Sequence, residues 1–174
     1  MSSGLKNKLV GQIGEFLVCA ELGRQGLVAT PFSGNVPLYD VIATNEQAAS
    51  VPIQVKTSNG GAWQFDASSY LEIEFDRESG VQTVTGRIPL PLPRLIHVFV
   101  WLGRRKEKAE RFFVFTATDL QRCIERGHTD FLQKHGGRRP KKPESFHTAV
   151  RTGDLEEYEG NWDVVHEQLA KQRL

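Results

Sequence analysis

Four polar side chains in the first third of the chain stand among residues of an apolar kind: Glu15, Asp40, Gln54 and Lys56. Glu15 has Gly11 and Cys19 one helical turn away on either side, with Val18 and Leu22 close by, so its carboxylate faces small and apolar neighbours. Left unpaired out of water, such a group costs roughly several kcal/mol, and it calls for a basic side chain or a metal ion beside it. Asp40 interrupts the run Leu38, Tyr39, Val41, Ile42 and Ala43, although aspartate is among the residues that strands disfavour. It is either a carboxylate projected from a sheet at a fixed place or a strand-end residue capping a turn. Gln54 and Lys56 flank Val55, so alternation puts both on one face of a short strand while Ile53 and Val55 turn to the core. An ordinary solvated sheet face has the same pattern. Together, three oxygen donors and an ammonium suit phosphodiester hydrolysis. A hard cation, Mg²⁺ or Mn²⁺, on the oxygens of Glu15, Asp40 and Gln54 would neutralise phosphate charge, and Lys56 would orient or deprotonate the attacking water.

The elements that must position these groups follow from hydrophobic periodicity. Leu5, Leu9, Ile13, Phe16, Leu17 and Ala20 recur at steps of three and four, which predicts a helix with an apolar stripe over residues 5–23. Residues 27–31, 38–43 and 53–57 read as strands, with Pro52 fitting only at a strand start or edge. Residues 71–76 alternate apolar and acidic, the mark of a strand with one face in water, and 81–88 pairs with it. Pro89, Pro91 and Pro93 make an extended connector. The nearly unbroken apolar runs 95–102 and 111–115 are the central strands. Thr118 and Gln121 form a capping-box pattern ahead of a helix that Gly127 ends, and Thr129 opens a further helical turn. Residues 134–143 read as a mobile basic loop and 162–174 as a last helix. The expectation is one domain over 1–174 of α/β (α+β) class, with its core at about 5–126 and a C-terminal helical region at about 144–174.

Composition narrows the partners. Charged residues make up 25% of 174 and nearly cancel at +1, so no long-range field of one sign draws a partner in, and any nucleic-acid contact must be local. Two basic clusters could follow a phosphate backbone or simply keep a loop wet: Arg104, Arg105, Lys106 and Lys108, then Arg138, Arg139, Lys141 and Lys142. Cys19 and Cys123 have no disulfide or zinc spacing and read as reduced thiols. No apolar run approaches the roughly 20 residues needed to cross a bilayer, and Gln12, Glu15 and Glu21 interrupt the opening stretch, so no membrane partner and a cytoplasmic location are expected. His97 reads as a core histidine, and Trp63, though of a core type, follows Lys56 closely enough to sit by the site.

Three segments carry a family resemblance: G-Q-I-G-E at 11–15, L-Y-D-V-I-A at 38–43 and I-Q-V-K-T at 53–57. In them the chain resembles the PD-(D/E)XK nuclease superfamily, in particular its Holliday-junction-resolvase-like and Mrr-like branches. The close match spans roughly residues 9–58, beyond which only the order of strands and helices agrees. The resemblance implies a restriction-endonuclease-like fold, a central mixed sheet flanked by helices. It implies that Asp40 ligates the metal, that Gln54 takes the place of the second motif acid, that Lys56 is the motif lysine and that Glu15 is the helix acid. Most members have Asp or Glu where Gln54 stands, and an amide gives an oxygen without charge, so weaker metal binding follows. The implied activity is a metal-dependent endonuclease acting on nucleic acid, with DNA as the first choice. The alternatives are an inactive nuclease-fold module that binds DNA or a protein partner, and an interaction domain in which the four residues do not converge. Homodimer formation, which would let two sites cut two strands, is left open by the sequence.

Overall fold

The computed structural model describes residues 3–32, 38–103 and 109–172; Arg104, Arg105, Lys106 and Lys108 lie outside the described residues. Helix α1 spans Ser3–Arg24 and is followed by strands β1 (Val28–Pro31), β2 (Val41–Thr44) and β3 (Ser50–Ser58). Next come β4 (Ala62–Asp66), β5 (Leu71–Phe75), β6 (Gln82–Arg87), β7 (Ile96–Trp101) and β8 (Arg111–Thr116). Helix α2 (Ala117–Lys134), β9 (His147–Arg151) and helix α3 (Asp163–Ala170) complete the order. Five strands form a mixed sheet, β1-β2-β3-β7-β8, with β3 and β7 parallel and the other neighbours antiparallel. This is the helix-flanked mixed sheet expected from the sequence. Among the described residues no helix is long and apolar enough to cross a membrane.

Alternation along the strands divides the core in two. Ile53, Val98, Val100 and Val114 point to one face, where Val18 and Leu22 of α1 and Val165 and Leu169 of α3 cover them. Phe99, Phe113 and Phe115 point to the other, beneath Trp63 and Phe65 of β4 and Leu120 and Ile124 of α2. Because both faces are covered, β7 and β8 carry almost no polar residues; β7 is interior as expected, but β8, read as a second central strand, lies at the edge of the sheet, since an apolar run reports covered faces and not covered edges.

The structure departs from the sequence reading in several places. In α1, the stripe whose spacing betrays the helix faces outward: Leu5, Leu9, Ile13 and Phe16 are 49%, 40%, 46% and 55% exposed. The buried side is Gly14, Val18 and Leu22, because α1 rests so closely on β3 that a Cβ on Gly14 would stand 1.8 Å from Thr57 Oγ1. Strand β2 starts at Val41, not at residue 38, since Leu38 adopts a left-handed φ of 85°. The capping box of α2 is Thr116 with Asp119, and Gly127 does not end the helix. Ile124, His128 and Leu132 keep one buried face running to Lys134, and an interior glycine costs only about 1 kcal/mol. The region 144–174 is not helical throughout, because β9 pairs antiparallel with β4, Trp63 opposite Val150. Cys19 is half-buried and Cys123 buried, both as free thiols.

Candidate active site

Strands β2 and β3 pair from Thr44 opposite Ser50 as far as Val41 opposite Ile53, and then part. Strand β3 continues to Ser58 with its other edge bonded to β7 throughout, so the edge it shared with β2 is left open among the described residues. A backbone N–H on such an edge needs an acceptor. Asp40, immediately before β2, supplies it: its Oδ2 accepts from the Val55 N–H at 2.7 Å. Its own N–H donates to the Ile53 carbonyl, and its carbonyl accepts from the Phe32 N–H, both at 2.9 Å. Asp40 is therefore a strand-end residue that caps the neighbouring strand, held by three hydrogen bonds at the fork of the sheet.

Glu15 approaches the same fork from α1, the Gly14–Thr57 contact setting how near it comes. The Thr57 hydroxyl is buried there without a hydrogen-bond partner among the described residues. Burial holds the pKa of Glu15 above the usual carboxylate value, and the charge of Asp40 raises it further. The two carboxylates line one cavity of about 720 Å³, with Gln12, Leu9, Phe16 and Phe32 among the other walls.

Gln54 and Lys56 flank Val55, the residue that Asp40 binds, and stand opposite His97 and Phe99 in the ladder with β7. Alternation puts them on the aromatic face of the sheet, away from α1. The Lys56 ammonium lies 5.6 Å from the centre of the Phe65 ring, and the Lys56 carbonyl accepts a hydrogen bond from Trp63 Nε1 at 3.0 Å. Trp63 is thus both a core residue and a neighbour of the site, a double role that its place in the sequence allowed. The structure brings Glu15 and Asp40 together. It places Gln54 and Lys56 on either side of Val55, with no hydrogen bond or ion pair joining them to the two acids among the described residues. Nor do three His, Cys, Asp or Glu side chains gather round one point among the described residues. Gly14 and Thr57 are the positioning residues that sequence reasoning missed. The second glycine of the G-Q-I-G-E segment was the available signal.

Two solved nucleases are similar to the chain. A bacterial homing endonuclease, I-Ssp6803I, is 16% identical, over 95% of this chain and 96% of its own, with a TM-score of 0.49. Hjc, a Holliday junction resolvase from the archaeal hyperthermophile Archaeoglobus fulgidus, is 16% identical, over 84% and 88%, with a TM-score of 0.40. No protein family and no curated protein matches the sequence.

His97, opposite Gln54, is 4% exposed, stacked on Phe115 and edge-on to Phe99. Burial, with the nearby Lys56 ammonium adding to it, pushes its pKa from 6.5 down to about 4. The folded imidazole stays neutral while the unfolded one takes up a proton below 6.5. Stability is therefore lost as pH falls from 6.5 towards 4, by up to about 3 kcal/mol from this group. In urea titrations at pH 7 and pH 5, His97→Phe should flatten that part of the drop; equal drops in variant and wild type would show that His97 titrates normally.

Proposed function

We propose that the chain is a metal-dependent nuclease that hydrolyses phosphodiester bonds of nucleic acid, DNA first among them. One observation carries this reading: the Asp40 carboxylate is fixed on the Val55 N–H at the fork of β2 and β3, Glu15 lines the same cavity, and Gln54 and Lys56 flank Val55 in sequence. The donor set fits a hard cation. Two carboxylates lining one cavity, the Glu15 pKa raised by burial and by the charge of Asp40, with an amide one residue from the bound N–H, suit Mg²⁺ or Mn²⁺, which keep several waters. When bound, the ion neutralises charge on the non-bridging oxygens of the phosphate. Asp40 and Glu15 would hold it; Gln54, reaching past Val55 from the other face of β3, would add a neutral oxygen, and Lys56 would position or deprotonate the attacking water and offset charge that develops in the transition state.

A second reading is favoured by Gln54, which brings no charge, and by Lys56, whose ammonium rests over Phe65. In that case the nuclease architecture binds DNA or a protein partner without cutting. Supercoiled plasmid, linear duplex, four-way junction and RNA should be incubated with Mg²⁺ or Mn²⁺, and with chelator, using wild type and Gln54→Glu. The wild type is expected to cut one of them only with ion present, and Gln54→Glu to reach half-maximal rate at roughly tenfold less ion, since it adds a charged ligand. Cleavage by Gln54→Glu alone would establish the second reading. Folded protein of both kinds that cuts nothing overturns the nuclease.

A further inference from the structure

The basic cluster after α2, read from its glycines and prolines as a mobile loop, is tied to the rest of the fold at several points. Its two ends are tied to one residue, one end by the side chain and the other by the backbone. Gln82, 3% exposed, donates from Nε2 to the carbonyls of Pro143 and Ser145, and its backbone N–H donates to Gly137. Val81 and Arg138 form an isolated β-bridge beside it. Arg139 is fixed as well: its guanidinium lies 4.8 Å from the centre of the Phe131 ring, and its Nη1 donates to the His147 carbonyl. A run of charge that only keeps a surface wet needs no such scaffold, because water serves it in any conformation.

Beside this scaffold opens a cavity of about 540 Å³, lined by Phe131, His135, Arg139, Lys141, Lys142 and His147 among others. None of the residues lining it is a carboxylate. Among the described residues, Arg138, Arg139, Lys141 and Lys142 form no salt bridge. The adjoining cavity, which shares Phe131, Arg139 and His147, is lined by Asp130 and Asp154. The first cavity therefore carries Arg139, Lys141 and Lys142 with no opposing charge in its lining, whereas in the second Asp130 and Asp154 offset Arg139 and Arg151. His147 stands opposite Asp66 in the β4–β9 ladder, one residue along from Phe65, the ring beneath the Lys56 ammonium. The cationic cavity is thus built on the same ribbon that covers the lysine of the candidate active site.

We infer that this cavity is a second nucleic-acid contact, a preformed seat for a backbone phosphate of the polynucleotide whose scissile bond lies at Asp40. The inference rests on the nucleic-acid reading above but not on cleavage. Lys141 and Lys142 supply the mobile charges and Arg139 the fixed one, which orients the phosphate at little entropic cost.

The test is equilibrium binding of a fluorescent DNA duplex, in chelator, across a salt series. Lys141→Glu/Lys142→Glu removes two exposed cations that make no internal bond, and Arg24→Glu/Lys171→Glu makes the same net-charge change outside the cavity. The cavity variant should bind about 10–30-fold more weakly at 0.1 M salt, with the log–log salt slope smaller by about 1.8, while the control changes little. The milder Lys141→Ala/Lys142→Ala should lose affinity in the same direction. Equal weakening by cavity and control variants, or wild-type affinity in the cavity variant, overturns the seat and leaves the nuclease reading untouched. Inorganic phosphate at matched concentration is the second arm: competition only at tens of millimolar supports the polynucleotide as ligand, and tight binding of free phosphate with none of DNA overturns it.

Discussion

Asp40→Asn is expected to remove cleavage while leaving the fold in place. Asparagine keeps an oxygen that accepts from the Val55 N–H, so the fork between β2 and β3 is still capped, but the charge that holds a cation is gone. The rate at saturating DNA should fall by roughly 10²–10³ or more, with the urea midpoint almost unchanged. Asp40→Ala removes the acceptor too, and losing the partner of a part-buried N–H should cost about 1 kcal/mol of stability. The pair of variants separates a chemical role from a structural one. A third readout comes from Glu15: once residue 40 is neutral, the Asp40 contribution to its raised pKa disappears and the Glu15 titration moves down, visible by carboxyl NMR. An Asp40→Asn protein that cuts at the wild-type rate would remove Asp40 from the site.

Gly14→Ala should produce the second large effect, and in the direction opposite to helix propensity. Alanine in a helix interior gains up to about 1 kcal/mol over glycine. At Gly14 the new Cβ would meet Thr57 Oγ1 at 1.8 Å, Thr57 Cβ at 2.9 Å and Thr57 Cγ2 at 3.1 Å. Rotating the hydroxyl away relieves the first contact, but the Thr57 Cβ is tied to the backbone of β3, so α1 has to lift and carry Glu15 with it. Overpacking of this kind costs about 1–3 kcal/mol. Gly127→Ala is the internal comparison, because a Cβ there meets nothing within 4 Å, and that variant should gain stability. Adding Thr57→Ala to Gly14→Ala should recover part of the loss by removing Oγ1 and Cγ2. Cleavage should fall more in Gly14→Ala than stability alone explains, since the shift acts on the separation of Glu15 and Asp40. If Gly14→Ala and Gly127→Ala melt alike, α1 does not rest on β3 in this way.

Sequence reading and structure agree where the signal is local. The strands β3, β7 and β8 were legible because apolar, β-branched and aromatic residues crowd into short runs, and α1 because its apolar residues recur every three or four positions. Glu15, Asp40, Gln54 and Lys56 stood out because each is polar in a segment that otherwise reads as apolar, and that anomaly needs no partner to be seen. The tertiary structure alone decided which face of α1 turns inward. The winning face is the one with Gly14, since close approach to β3 outweighs the larger apolar area of Leu5, Leu9, Ile13 and Phe16. It also decided that Asp40 caps β3, that α2 runs past Gly127, that β4 finds β9 far along the chain and that Gln82 fastens the basic loop. Periodicity reports which residues are able to be buried; who covers them depends on groups distant in sequence, whose contacts exist only once the chain has closed on itself.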